Sequence, residues 1–158
     1  FRKLEFVPSI TKNAIAIDQI VFAELYLDLF EMYLIDMKEP DRAYDLVKTV
    51  ITDRGSEDPE LLTWFAKKIA SDPDISKADR RMDVAMLAAT SALSFTERKD
   101  DPKYLATIAT VHFYKNEIDK AIDWQRRAYH AAQTNKKQSF KITLDRYRTQ
   151  KSQASVDQ

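Results

Sequence analysis

Two segments of this chain, 43 residues apart, repeat each other. Asp58-Pro59-Glu60-Leu61-Leu62-Thr63-Trp64-Phe65-Ala66 aligns with Asp101-Pro102-Lys103-Tyr104-Leu105-Ala106-Thr107-Ile108-Ala109. Both read D-P-x-[LY]-L-x-x-[FI]-A. In each copy the Leu and the Phe/Ile–Ala pair fall on one helix face, and the Ala leaves room for a second helix. The elements that follow also correspond. Ala85 and Ala92 match Ala121 and Ala128, each pair two helical turns apart and so on one face. Ala43 and Val50 give a weaker third copy. A unit recurring at this period implies antiparallel helix pairs that bury their apolar faces by stacking on one another. The last unit spaces its first-helix and second-helix Ala by 12 residues (109 to 121). The middle unit spaces them by 19 (66 to 85), so it carries an insertion, placed at SDPDISK, residues 71–77.

Composition agrees with helix. One Gly and five Pro in 158 residues are too few for a fold of hairpins and tight phosphate loops. A chain of this length suits one domain, with roughly 70% of its surface buried on folding. There is no Cys, which excludes disulfides, thiolate metal sites and thiol redox chemistry within this chain. No apolar run approaches the ~20 residues of a membrane helix, and no membrane partner is expected. The chain opens on Phe1, which suggests a mature or excised piece of a longer protein. The 25 basic and 25 acidic residues cancel, yet they are unevenly placed. Residues 1–100 carry a net of −5 and residues 101–158 a net of +5. An ordinary solvated surface explains this; a basic C-terminal face meeting an acidic partner is the sharper alternative.

Along the chain, 1–9 reads as an extended lead-in with a Pro. A single helical domain is expected over 10–151, with units at about 18–54, 58–97 and 101–133, and an amphipathic capping helix at 138–151 whose apolar side carries Phe140, Ile142, Leu144 and Tyr147. The tail 152–158 is expected to fray. Within 10–37 two apolar stripes recur at helical spacing, with Ser9 or Thr11 as caps and a possible break near Asp18. Pro40, Pro59 and Pro102 suit first helical turns, where a missing N–H costs nothing. Asp58 (or Ser56) and Asp101 suit N-caps, as does Ser76 with Asp79 three residues on. Gly55, the only glycine, suits a left-handed C-terminal cap.

The last unit resembles a tetratricopeptide repeat. That family places a small residue midway along its first helix, an aromatic one turn later, a turn, then Ala, aromatic and Ala on the second helix. Here Ala109, Phe113, the Lys115-Asn116-Glu117 turn, Ile118, Ala121, Trp124 and Ala128 take those places. Asn116 and Ala109 stand where the family commonly has Gly, and the usual aromatic is shared between His112 and Phe113. The resemblance implies an all-α fold of antiparallel helix pairs stacked as a short right-handed superhelix. It also implies a protein-interaction role. A narrower resemblance covers Trp64 with Phe65-Ala66, Leu105–Ala109 and Ala121–Ala128. These are similar to the C-terminal repeat tail of bacterial thioredoxin-like (redoxin) proteins. That implies an accessory domain serving an upstream oxidoreductase outside the cytoplasm; otherwise the cytoplasm is expected.

No H-E-x-x-H, Walker loop or G-x-S-x-G pattern occurs, so the chain reads as non-catalytic, without cofactor or metal. His112 and His130, with Asp119 or Asp123, are the one combination resembling a metal set, and a half-buried and a surface His explain them more simply. Asp72, Asp74 and Asp79 lack the glycine-centred pattern of a calcium loop and suit capping. A stacked repeat presents the outer side of its first helices as a concave groove. That side should include Asp28, Met32, Glu60, Trp64, Lys67, Lys103, Ala106, Thr110 and Phe113. Of these, Glu60, Trp64, Lys67, Lys103, Thr110 and Phe113 are the candidate partner-binding residues for a protein or peptide ligand. Trp64 and Phe113 suit an extended or apolar peptide, unless both belong to the core between repeats. Ala106 with Thr110, and Thr63 with Lys67, argue against a clamp for a peptide's terminal carboxylate. A third reading is nucleic-acid binding through Arg126, Arg127, Lys136, Lys137, Lys141, Arg146, Arg148 and Lys151, interleaved with Tyr129, Phe140 and Tyr147.

Overall fold

The computed structural model describes residues 19–53 and 58–156. Among these residues are seven α-helices and one π-helical turn, and no strand. The lead-in 1–9, its Ser9 and Thr11 caps, the break near Asp18, Gly55, Ser56 and the last two residues lie outside the described residues. The chain divides into two compact units, residues 1–46 and 47–158.

In the first unit, α1 spans Gln19–Glu31 and passes into a π-helical turn at Met32–Asp36. The turn is closed by Met37 N–H donating to the Met32 carbonyl at 2.9 Å. Lys38 takes a left-handed backbone (φ 57°), and Glu39 N–H reaches back to the Tyr33 carbonyl at 2.8 Å. α2 (Pro40–Asp53), whose residues 47–53 already belong to the second unit, begins with its proline in the first turn, as the sequence suggests. Both stripes of α1 contribute to the core: Leu29 from one, Tyr26 and Phe30 from the other, continued by Tyr33 and Leu34. Phe30 meets Tyr44 edge to face at 6.0 Å. Arg42 donates to Glu39 at 2.6 Å and lies 4.4 Å from the Tyr33 ring centre.

The second unit holds α3 (Pro59–Ser71), α4 (Met82–Phe95), α5 (Pro102–Tyr114), α6 (Ile118–Ala131) and α7 (Lys137–Val156). α3 and α5 start alike. Asp58 accepts from Leu61 N–H and Asp101 from Lys103 N–H, both at 3.0 Å, and a proline follows each cap. α3 packs on α4 and α5 on α6, while α5 also packs on α3 and α4. The repeated alanines are the contact points: Ala66, Ala109, Ala85, Ala92, Ala121 and Ala128 are all fully buried. Helices that touch through alanine approach closely, so a larger side chain at these positions would overpack the contact.

The turn between α5 and α6 is a Schellman closure. Asn116 is left-handed (φ 62°), Asn116 N–H donates to the Phe113 carbonyl, and Glu117 N–H donates to the His112 carbonyl at 2.9 Å. Asparagine is the residue after glycine that best tolerates this backbone, which explains how it can replace the glycine usual in such a turn.

Three expectations are corrected. Ser76 does not start α4: it closes a turn in which its Oγ donates to Asp79 Oδ2 at 2.7 Å and accepts from Asp79 N–H, and the helix begins at Met82. The last helix continues to Val156, so 152–156 are helical rather than frayed. Ile142, expected on the inner face of that helix, is 61% exposed. Leu144 and Tyr147 are the buried pair on α7, and they stand three residues apart on the other side.

Candidate functional site

The six candidate residues lie on α3 and α5, and the structure brings two of them, Glu60 and Lys103, into one network with Tyr104. Glu60, in the first turn of α3, forms an ion pair with Lys103 on α5. The Tyr104 hydroxyl donates to Glu60 Oε1 at 2.9 Å. Burial, reinforced by the negative charges of Asp101 and Asp58, lifts the Tyr104 phenol above its usual value, so it stays a donor. The ion pair is exposed and contributes no more than about 1 kcal/mol. Its value is register: it ties equivalent first turns of the two copies together.

Trp64 is half-buried, edge-on to Phe65 at 5.6 Å, with the Lys68 ammonium 5.6 Å from its ring centre. Lys67 stays exposed, and desolvation nonetheless lowers its ammonium below the usual lysine value. Thr110 is half-buried and returns its hydroxyl to the Ala106 carbonyl at 3.0 Å. On the same helices Thr63 and Thr107 are buried, and Thr107 donates to the Lys103 carbonyl at 2.9 Å. Phe113 sits apart from this group. It stacks on Tyr147 of α7, centroids 4.4 Å apart and planes at 18°, with the Arg146 guanidinium 5.4 Å from its ring centre. Phe113 therefore packs against the cluster of Ala109, Ala121 and Tyr147. In the first unit, Asp28 is exposed and Met32 half-buried.

α7 lies antiparallel on α6. The buried Gln125 donates from Nε2 to the Phe140 carbonyl at 3.0 Å near one end, and Lys151 pairs with Asp119 near the other. Several cations of the basic C-terminal stretch are engaged with the protein itself. Arg126 pairs with Asp123 and Arg148 with Asp145; Arg127 lies 4.0 Å from the Trp124 ring centre and Lys137 5.5 Å from that of Tyr129.

The histidines do not meet. His112 Nδ1 is 2.5 Å from Glu117 Oε2, across the α5–α6 turn, whereas the His130 ring is edge-on to Tyr129 at 5.3 Å. The His112 hydrogen bond, helped by Lys115 and Lys120 at 3.5 Å each, holds the Glu117 carboxyl below its usual range. Among the described residues no group of three or more His, Asp or Glu could hold a metal ion. Of the insertion's acids, Asp72 accepts from Asp74 N–H at 2.8 Å and pairs with Lys68 at 2.5 Å. Burial would raise the Asp72 carboxyl, but these partners and the charge of Arg80 bring it below its usual value.

Sequence reasoning missed Arg80. One terminal nitrogen of its guanidinium donates to the carbonyls of Ile69 (3.2 Å) and Ala70; the other donates to those of Asp72 (2.5 Å) and Ile75 (2.6 Å). Carbonyls from the end of α3 and from the insertion are thus gathered on one side chain, and Ile75 of the insertion is buried, 3% exposed. The only sequence signal is an arginine just after a polar loop, which is too common to single out.

Against protein-family models, curated proteins and solved structures the chain finds no match. No helix among the described residues is long and apolar enough to cross a membrane.

Proposed function

We propose that this chain is a non-catalytic protein-interaction domain, its second unit built from stacked tetratricopeptide-like helix pairs with α7 capping the last pair. The partner is a protein or peptide segment that lies across the first helices of the pairs. The observation that carries this reading is the side-by-side placement of α3 and α5, the two Asp-Pro-capped copies. Glu60 joins them through Lys103 and Tyr104. Trp64, Lys67, Lys103 and Thr110 then offer an aromatic surface, two cations and a polar rim to an extended peptide. Phe113 contributes through the edge it leaves beside Tyr147.

The test is selection of displayed peptides on the full 158-residue chain, followed by calorimetric titration of the selected peptides. Binding to wild type should weaken by at least about tenfold, one good anchor contact, in Trp64→Ala. It should be unchanged in Leu87→Ala, on the exposed side of α4. Peptides that bind wild type and Trp64→Ala equally, with no loss in Lys67→Glu, would place the interaction elsewhere.

A further inference from the structure

The insertion that distinguishes the middle helix pair also shapes a cleft. It opens at the end of α3, between the insertion, the start of α4 and the end of α5, and measures about 430 Å3. Ala70, Ser71, Lys77, Arg80, Met82 and Tyr114 line it. That volume lies in the range of small-molecule sites, roughly 300–1,000 Å3. Such sites combine apolar walls with a few polar groups that fix orientation.

The charge of this lining is one-sided: two cations and no carboxylate. Arg80 spends its terminal N–H groups on four backbone carbonyls. Carbonyl dipoles orient a guanidinium but carry no net charge, so its positive charge persists at the wall. Asp72, whose carboxylate feels that charge, is already held by Lys68 and by the Asp74 N–H. Asp79 is bonded to Ser76. Lys77 is exposed and makes no ion pair among the described residues, and Tyr114 is 46% exposed, its ring edge-on to Phe113. Ala70, Met82 and the Tyr114 ring form the apolar part of the wall.

We propose that this cleft binds a small organic carboxylate with an apolar body. The carboxylate is held between Lys77 and the Arg80 charge, and the body lies against Met82, Ala70 and Tyr114. A bare inorganic anion would leave the apolar wall wet; a neutral ligand would leave two cations without a counter-charge. Loops that depart from a repeat are where solenoid proteins place special functions, and the cleft exists because this loop is wrapped on Arg80.

The experiment is titration of the full chain with octanoate, octanamide and sodium sulfate at constant ionic strength, followed by amide chemical shifts. Octanoate should saturate below about 1 mM. Its shifts should be confined to residues 70–71, 77–82 and the neighbourhood of 114. Octanamide, which keeps the body and loses the charge, should bind about tenfold more weakly, as should Lys77→Gln with octanoate, the loss of one charge-assisted contact. Tyr114→Ala should weaken octanoate as well. Lys77 and Tyr114 are exposed, so neither variant should change the unfolding midpoint. No saturable octanoate binding, equal affinity for octanoate and octanamide, equal competition by sulfate, or shifts on another face would each overturn the proposal.

Discussion

The hairpins α3–α4 and α5–α6 begin with the same cap and proline and reverse the chain by different means. Between α5 and α6 three residues suffice, Lys115–Glu117, because backbone groups close the turn on themselves around a left-handed Asn116. Between α3 and α4 ten residues intervene, Asp72–Arg81, and there a side chain gathers the carbonyls that the loop's backbone leaves over. A helix end has four carbonyls without an intrahelical partner. One hairpin answers that with a strained residue, the other with a part-buried cation. The first solution is local and compact. The second depends on a residue distant from the carbonyls it serves, and it leaves space beside it.

That contrast predicts a large asymmetry. Arg80→Ala should destabilise the protein by about 3 kcal/mol in urea unfolding, since several carbonyls lose their donor in a part-buried site. The equivalent carbonyls of α5 are closed by backbone N–H groups, so no single side-chain truncation in its turn should cost as much. Next come the repeated alanines. Ala66→Leu and Ala109→Leu should each cost about 2 kcal/mol by overpacking, and similar costs would show that the two positions do the same job. Unequal costs would weaken the equivalence. Asn116→Ala should cost about 1 kcal/mol, because alanine resists the left-handed backbone, while Asn116→Gly should be neutral or slightly stabilising. The smallest effect is expected in acid. Glu117 has a depressed folded-state pKa, so its stabilisation is complete above its unfolded value near 4.5 and lost as pH falls through the lower folded value. Asp72 behaves the same way from an unfolded value near 3.8. Stability measured from pH 6 down to pH 2 should therefore fall less steeply in Glu117→Gln than in wild type.

The parts of the fold that depend on neighbours in sequence were legible. Asp58-Pro59 and Asp101-Pro102 announce helix starts, since a cap and a proline act within four residues. The alanines at 85, 92, 121 and 128 announce the packing face through periodicity alone. What depends on contacts at a distance was not. Ser76 and Asp79 carry a capping pattern, and the turn they make closes three residues before α4 begins, because the chain first has to deliver Arg80 to α3. Phe113 carries an aromatic that suits either groove or core, and only the arrival of Tyr147 decides where its face goes. Of the candidate positions on α3 and α5, Lys67 is exposed, whereas Trp64 and Thr110 are half-buried, a degree of burial that helical periodicity alone does not set. The link through Glu60 to Tyr104 was not legible, since no pattern in one helix encodes a partner 44 residues away.

The central claim is that α3–α4 and α5–α6 are two forms of one unit, separated by an insertion. The most direct measurement replaces Asp72–Arg81 with Lys-Asn-Glu, the turn of the last hairpin, which restores a spacing of 12 between Ala66 and Ala85. Shortening a loop changes closure entropy only slightly. The account predicts a helical far-UV spectrum, a single cooperative urea transition within about 2 kcal/mol of wild type, and loss of octanoate binding. Loss of helix, or an α3–α4 segment whose amides exchange freely while α5–α7 stay protected, would contradict it.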